Sequence, residues 1–188
     1  MTCCDTTQAG YARVGVGTMG CPATIEVDIR PGLPAFTILG LRDVAVRETR
    51  ERVRAALLNS GHEFPLQRIT ATIAPPRCRR SAGHSGAEDF TLGFALALLG
   101  ASGQVPAAAL SELIACARLS LSGVLRPAPA APVTVRRAEQ DGYTAVVLAL
   151  ADVADLDAAA VGAGVVIVGG PTLRALARLL AGGQETQA

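Results

Sequence analysis

Arginines are concentrated in one part of this 188-residue sequence, and their spacing suits the binding of phosphate oxygens. Arg47, Arg50 and Arg54 fall within about 60° of arc on a helix that turns by about 100° per residue. Residues 42–80 hold nine arginines against four acidic residues, whereas the rest of the chain holds eight against twelve. Guanidinium groups stay charged and bind phosphate bidentately. This arginine ridge (Arg47, Arg50 and Arg54) therefore predicts a contact surface for DNA or for an acidic protein partner.

The same residues also fit a solvated helix face. Arg47 and Glu51, like Glu48 and Arg52, stand four residues apart, and such pairs stabilise a helix by about 0.2–0.5 kcal/mol. The sequence shows no aromatic residues interleaved with the ridge, which disfavours base stacking on single strands. DNA contact, partner contact and plain solvation all remain open on these residues.

A second basic cluster, Arg77, Arg79 and Arg80, precedes a glycine-containing loop and an expected helix start. Backbone N–H groups at a helix start attract anions, so these arginines are further candidates for contact with DNA or a partner. Ser85 and Glu88 have the spacing of a capping box, which accounts for both residues without any ligand.

The absence of lysine excludes one important kind of site. All 17 basic residues are arginine, so the G-x-x-x-x-G-K-[ST] loop that holds nucleotide phosphates is missing from this sequence. A Ser–Lys peptidase dyad is excluded by the same absence. We identify no catalytic residue, and we expect this chain not to be an enzyme.

The cysteines and histidines do not form a metal-binding pattern. Five cysteines and two histidines occur without any C-x-x-C pair, so we predict no metal site and no cofactor. Cys21 and Cys116 are expected to be reduced and buried. Cys78, which stands between arginines, suits either a reactive thiol of lowered pKa or a loop residue without a role.

Composition predicts an aliphatic core and a cytoplasmic protein. Half of the residues are hydrophobic but only 3% are aromatic. The longest strongly apolar run, residues 92–101, is shorter than the roughly 20 residues that span a bilayer, so it predicts a buried helix and no membrane contact. The first eight residues lack the basic and apolar regions of a secretion signal.

Alternating and helical patterns along the chain predict an α/β (α+β) fold in which a mixed sheet packs against helices. Strands are predicted at 12–16, 24–30, 36–39, 69–73, 118–122, 144–150 and 165–168. Helices are predicted at 42–60, 88–100, 106–115, 153–160 and 172–180, with a proline-rich loop at 126–132. The first helix has an apolar stripe made of Val46, Thr49, Val53 and Leu57.

The segment RPGLPAFTILGLRD, followed by VRETRERVRAALLNSGHEFPLQRITATIAP, resembles the amino-terminal domain of the ComM/YifB proteins. These form a magnesium-chelatase-like AAA+ family with a ChlI-like subunit domain. The resemblance is dense from about residue 11 to 74 and looser through 123–127. It implies a fold shared with Lon protease domains, small-molecule kinases and the second domain of a small-subunit ribosomal protein. It also implies work in bacterial DNA processing, where family members are ATP-driven hexameric motors that promote branch migration of transforming DNA.

The chain departs from the family pattern in three places. It stops at Ala188 without the family's AAA+ module. Its loop at 77–86 replaces a sequence of the Asp-Leu-Arg-Lys-Glu-Gly type, and only Asp89 persists from the motif that follows.

These observations predict a loose amino terminus over 1–10, one domain over 11–182 and a tail over 183–188. The expected function is that of a non-catalytic interaction domain in bacterial DNA processing, recombination or natural transformation. Its expected partners are DNA or an acidic protein, and an AAA+ ATPase module or hexameric assembly. Two alternatives are an enzyme of the small-molecule-kinase-like fold that binds phosphate esters through residues 77–88, and an inert truncated remnant.

Overall fold

The computed structural model of this chain describes residues 10–19, 22–41, 43–74, 90–156 and 161–182. The strands are β1 Tyr11–Val16, β2 Ala23–Arg30, β3 Ala35–Leu39, β4 Arg68–Ala74, β5 Leu113–Cys116, β6 Arg118–Leu119, β7 Leu125–Arg126, β8 Ala145–Ala149 and β9 Val166–Gly170. The helices are α1 Asp43–Asn59, α2 Thr91–Ala101, α3 Ala107–Ser111, α4 Ala131–Arg137, α5 Leu150–Ala154 and α6 Leu173–Gly182.

Seven strands form one mixed sheet in the order β3-β4-β2-β1-β5-β8-β9. Strand β2 runs antiparallel to both of its neighbours, β1 and β4, and every other neighbouring pair in this sheet is parallel. The short strands β6 and β7 pair separately as an antiparallel hairpin. The predicted class, a mixed sheet packed with helices, is therefore confirmed, while the more specific fold likenesses stay predictions.

Helix α2 lies at the centre of the main hydrophobic core. All of its residues are buried, and it packs against β1, β2 and α1. A Cβ added to Gly93 would lie 2.4 Å from Val16 Cγ2, so the absent side chain lets the helix approach the sheet closely. The apolar run is a buried helix, as predicted. Across the described ranges, every helix is too short or too polar to cross a membrane.

Strands β5 and β8 are buried on both faces, which explains their continuous apolar sequences. Leu113 and Val147 belong to the main core, whereas Ile114 and Val146 belong to a second core on the opposite face. Helix α4 covers that second core through residues that include Val135.

The structure corrects several predicted elements. The strand expected over 118–122 ends at Leu119, and the helix expected over 153–160 is instead α5, Leu150–Ala154. The helix expected over 106–115 ends at Ser111, and residues 113–116 form β5 between β1 and β8. The proline-rich loop expected over 126–132 ends earlier, because α4 begins at Ala131 and accepts Pro132 in its first turn.

Candidate partner-binding surface

Helix α1 carries the arginine ridge on the face that points away from the core. Val53 and Leu57, two residues of the predicted stripe, are completely buried. Arg47 and Arg54 are exposed, and Arg50 is half-buried. Because apolar and basic residues recur at separate helical positions, one helix packs on the sheet and presents guanidinium groups to solvent.

An aromatic pair from outside α1 lies beside the ridge. The Arg54 guanidinium carbon lies 5.6 Å from the centroid of the Phe64 ring, within the range of a cation–π contact. Phe64 in turn packs against Phe36, with ring centroids 5.9 Å apart and planes tilted by 57°. The loop between α1 and β4 brings Phe64 to the ridge, a contact that the absence of aromatic residues within α1 did not reveal.

A cavity of about 160 Å³ adjoins the ridge and is lined by Arg50, Arg54, Phe36, Phe64 and Pro34, among others. Within the described residues, the buried Arg50 Nε has no hydrogen-bond partner. A buried donor without an acceptor is costly, so an oxygen acceptor from a bound group would be stabilised at this position.

Only one of the two expected ion pairs of α1 is formed. Arg52 donates to the carboxylate of Glu48 in a short contact one helical turn apart. Arg47, by contrast, forms no ion pair with Glu51 or with any other described acid. The ridge therefore keeps cationic groups that the described part of the chain does not neutralise.

A larger cleft lies on the other flank of α1, against the β6–β7 hairpin. Its volume is about 560 Å³, and Arg118 and Arg126 line it. Neither arginine was a candidate on sequence grounds, because both belong to the part of the chain in which acids exceed arginines. Both stand four residues from Ser122, which precedes the turn glycine Gly123, and this spacing is the signal that could have paired them across a hairpin.

Several expectations fall outside the described residues. Arg77, Arg79 and Arg80 lie there, and so do Cys21, Cys78 and the capping box at 85–88. Their roles remain predictions.

Cys116 is a structural thiol, as expected. It is free and buried, and the Thr134 hydroxyl donates to its sulfur at 3.4 Å. Burial raises the pKa of Cys116 to about 11, so the unreactive thiol form persists at neutral pH. Within the described ranges no group of three or more His, Cys, Asp or Glu side chains could hold a metal ion.

The carboxyl end of α1 is fastened by polar contacts that fix the position of the helix. Arg174 of α6 donates from Nε to the Ser60 carbonyl at 2.7 Å. The side-chain amide of Gln104 accepts from the Glu63 N–H, at 2.9 Å, and donates to the Glu63 carbonyl, at 3.0 Å.

His62 lies between Ser60 and Glu63 in the sequence. Burial and the nearby Arg174 charge lower its pKa, although a hydrogen bond with Gln104 raises it.

We expect this histidine to make stability depend on pH. Its folded pKa lies below the ordinary value of 6.5, so the unfolded state binds more protons as pH falls through 6.5. The free energy of unfolding should therefore decrease from pH 7.5 toward the lowered pKa of His62. Urea titrations at a series of pH values should show a shallower decrease for His62→Gln, and equal slopes for both proteins would contradict the assignment.

Comparison with known proteins identifies the family of this chain. A profile of the family described as "Subunit ChlI of Mg-chelatase" matches residues 25–152. The protein YifB of Escherichia coli (strain K12) is 37% identical over 137 residues, which are 73% of this chain and 26% of YifB. The competence protein ComM of Haemophilus influenzae is 37% identical over 116 residues, 62% of this chain and 22% of ComM. The protein Rv2897c of Mycobacterium tuberculosis is 35% identical over 124 residues, 66% and 24% of the two chains.

This chain belongs to the magnesium-chelatase-like ComM/YifB family. The matched stretch spans about a quarter of the length of these curated relatives.

The expectation that this chain is not an enzyme is wrong. The family comprises AAA+ ATPase-like proteins, and this chain carries its ChlI domain. The missing lysine excludes a Walker A loop only within these 188 residues, so it was too narrow a basis for a conclusion about the protein's activity.

Proposed function

We propose that this chain is the part of a magnesium-chelatase-like AAA+ ATPase that contacts DNA during bacterial DNA processing. The contact surface is the arginine ridge of α1. Two observations carry the proposal. Arg47 is exposed and forms no ion pair among the described residues, and Arg54 is held by a cation–π contact with Phe64. The likeness to a protein named for competence supports a role in recombination or natural transformation.

The chemistry of the ridge fits a phosphodiester backbone. Arg47 and Arg54 offer planar guanidinium groups, which stay charged at every physiological pH and match pairs of phosphate oxygens. The half-buried Arg50 adds a further positive charge beside them. A row of such donors on one rigid helix binds backbone phosphates irrespective of base sequence.

The proposal extends to the assembly in which the chain works. An AAA+ ATPase module and a hexameric ring, as the resemblance implies, would couple ATP hydrolysis to movement along DNA in the cytoplasm. The relatives extend well beyond the matched stretch, which supports an ATPase module that is separate from the DNA-contacting part.

The DNA contact is tested by the salt dependence of binding. For Arg47→Gln/Arg54→Gln, the slope of log K against log salt concentration for duplex DNA should become less negative by about 2, since each phosphate contact contributes about 0.9. Arg136→Gln/Arg178→Gln removes the same charge from exposed positions of α4 and α6 and is the matched control. Fluorescence anisotropy over a range of salt concentrations measures both slopes. Equal slopes for the two double variants would refute the ridge as the DNA contact.

A further inference from the structure

The cleft between α1 and the β6–β7 hairpin contains an arginine pair that the ridge does not include. Arg118 and Arg126 are register partners, directly opposite one another across the two strands. Their neighbours Leu119 and Leu125 are buried while both arginines are exposed, so the two guanidinium groups share the outer face of the hairpin.

This arrangement is unfavourable for the chain by itself. Like charges directly opposite each other destabilise an antiparallel pair. Neither Arg118 nor Arg126 forms an ion pair or a hydrogen bond with another side chain among the described residues. Glu48, which lines the same cleft, is already engaged by Arg52. Glu51 also lines the cleft but forms no ion pair with either arginine, so the two adjacent cationic groups have no anionic partner among the described residues.

We infer that this cleft is a phosphate-binding site in which Arg118 and Arg126 bind one phosphate group together. A carboxylate is satisfied by one guanidinium, whereas a phosphate group has enough oxygens to accept from two, and a phosphate monoester, with a charge of about −1.5 to −2 at pH 7, also balances the charge of both. The Ser120 hydroxyl lines the cleft and accepts the Val124 N–H at 2.9 Å, which orders the turn that holds the two strands together.

The size of the cleft indicates that the phosphate belongs to a larger molecule. About 560 Å³ falls within the range of pockets for small organic ligands, which is about 300–1,000 Å³. Glu51 lines both this cleft and the smaller cavity beside the ridge, so the two sites meet across α1. The bound phosphate can therefore come from a small phosphate ester or from a DNA strand that continues from the ridge.

Titration of the full chain with pyrophosphate tests the site without DNA. We expect Arg118→Gln/Arg126→Gln to weaken pyrophosphate binding by at least about tenfold in calorimetry, because charge-assisted hydrogen bonds from both arginines are lost. The control Arg136→Gln/Arg178→Gln should bind pyrophosphate as the wild type does. Circular dichroism confirms that each exposed double substitution leaves the fold intact. Absence of pyrophosphate binding in the wild type, or equal affinity in both variants, overturns the inference.

A second arm identifies the source of the phosphate. If the site holds DNA backbone, the salt slope of duplex binding should also become less negative by about 0.9 in the Arg118/Arg126 variant, because the two arginines hold one phosphate. If it holds a small phosphate ester, the slope stays at the wild-type value while pyrophosphate binding is lost. The ridge variants keep pyrophosphate binding in either case, so failure of the DNA proposal and failure of this one are distinguishable.

Discussion

Replacing Phe94 by alanine is expected to lower the free energy of unfolding by about 3–5 kcal/mol, as is usual for a buried aromatic side chain. Phe94 is completely buried at the centre of α2, a helix without a single exposed residue. The neighbouring β1, β2 and α1 all pack on this helix, so the cavity left by the ring has little freedom to collapse. A small domain is stable by only about 5–15 kcal/mol, and this one substitution would remove a large share.

Urea unfolding followed by far-UV circular dichroism measures the loss. Phe64→Ala is the matched control, because the same atoms are removed from a half-buried ring at the surface. We expect the control to lose clearly less, since part of the Phe64 ring is already in water. Comparable losses for the two variants would show that α2 is not the centre of the core.

Local patterns were sufficient for the strands that alternate and for the ridge. In β2 and β4, apolar and polar residues alternate along the sequence, and buried and more exposed residues alternate in the structure. The two-residue period was therefore enough to predict both strands. The ridge follows from helix geometry alone, since Arg47, Arg50 and Arg54 belong to one helix.

Elements buried on every side gave no such pattern. Residues 113–116, Leu-Ile-Ala-Cys, are all buried in β5, so neither a helical nor a strand period is visible. Helix α4 was missed for a different reason. Proline is accepted in the first turn of a helix, where its missing N–H would be unpaired anyway, and Pro132 stands at that position.

The parts of the candidate site that were missed depend on contacts across a loop or a turn, between residues that belong to different elements. Phe64 reaches Arg54 through the loop that precedes β4, and Arg118 meets Arg126 only because a tight turn separates their strands. Counting charged residues within a short segment of the sequence detects neither contact. The cleft on α1 is therefore a product of the tertiary fold, which the sequence patterns did not contain.

Substituting Gly123 by alanine is expected to cost about 2–4 kcal/mol, from left-handed backbone strain and steric overlap together. Gly123 has a φ of +81°, and an added Cβ would lie 2.1 Å from Ser60 Oγ. The Gly123 carbonyl accepts the Leu173 N–H at 2.8 Å, so this turn joins the end of α1 to the start of α6. Differential scanning calorimetry or urea unfolding measures the loss.

Two further variants separate the strain from the overlap. Gly142 has a similar φ of +84° with nothing within 4 Å of an added Cβ, so Gly142→Ala should show the backbone strain alone, about 1–2 kcal/mol. Ser60→Ala removes a buried hydroxyl that has no hydrogen-bond partner among the described residues, and it should be close to neutral by itself. In that background Gly123→Ala should cost less, because the Oγ that it meets is gone. Two outcomes would contradict this explanation. One is that the losses in the free energy of unfolding for Gly123→Ala and Ser60→Ala simply add, and the other is that Gly142→Ala loses as much as Gly123→Ala. Either would show that close packing against α1 is not the reason why this turn needs glycine. If the expected coupling is found, the Gly123–Ser60 approach, together with the hydrogen bond that Asn59 Nδ2 donates to the Leu121 carbonyl at 2.8 Å, orients the β6–β7 hairpin on α1. Arg118 and Arg126 are positioned with this hairpin.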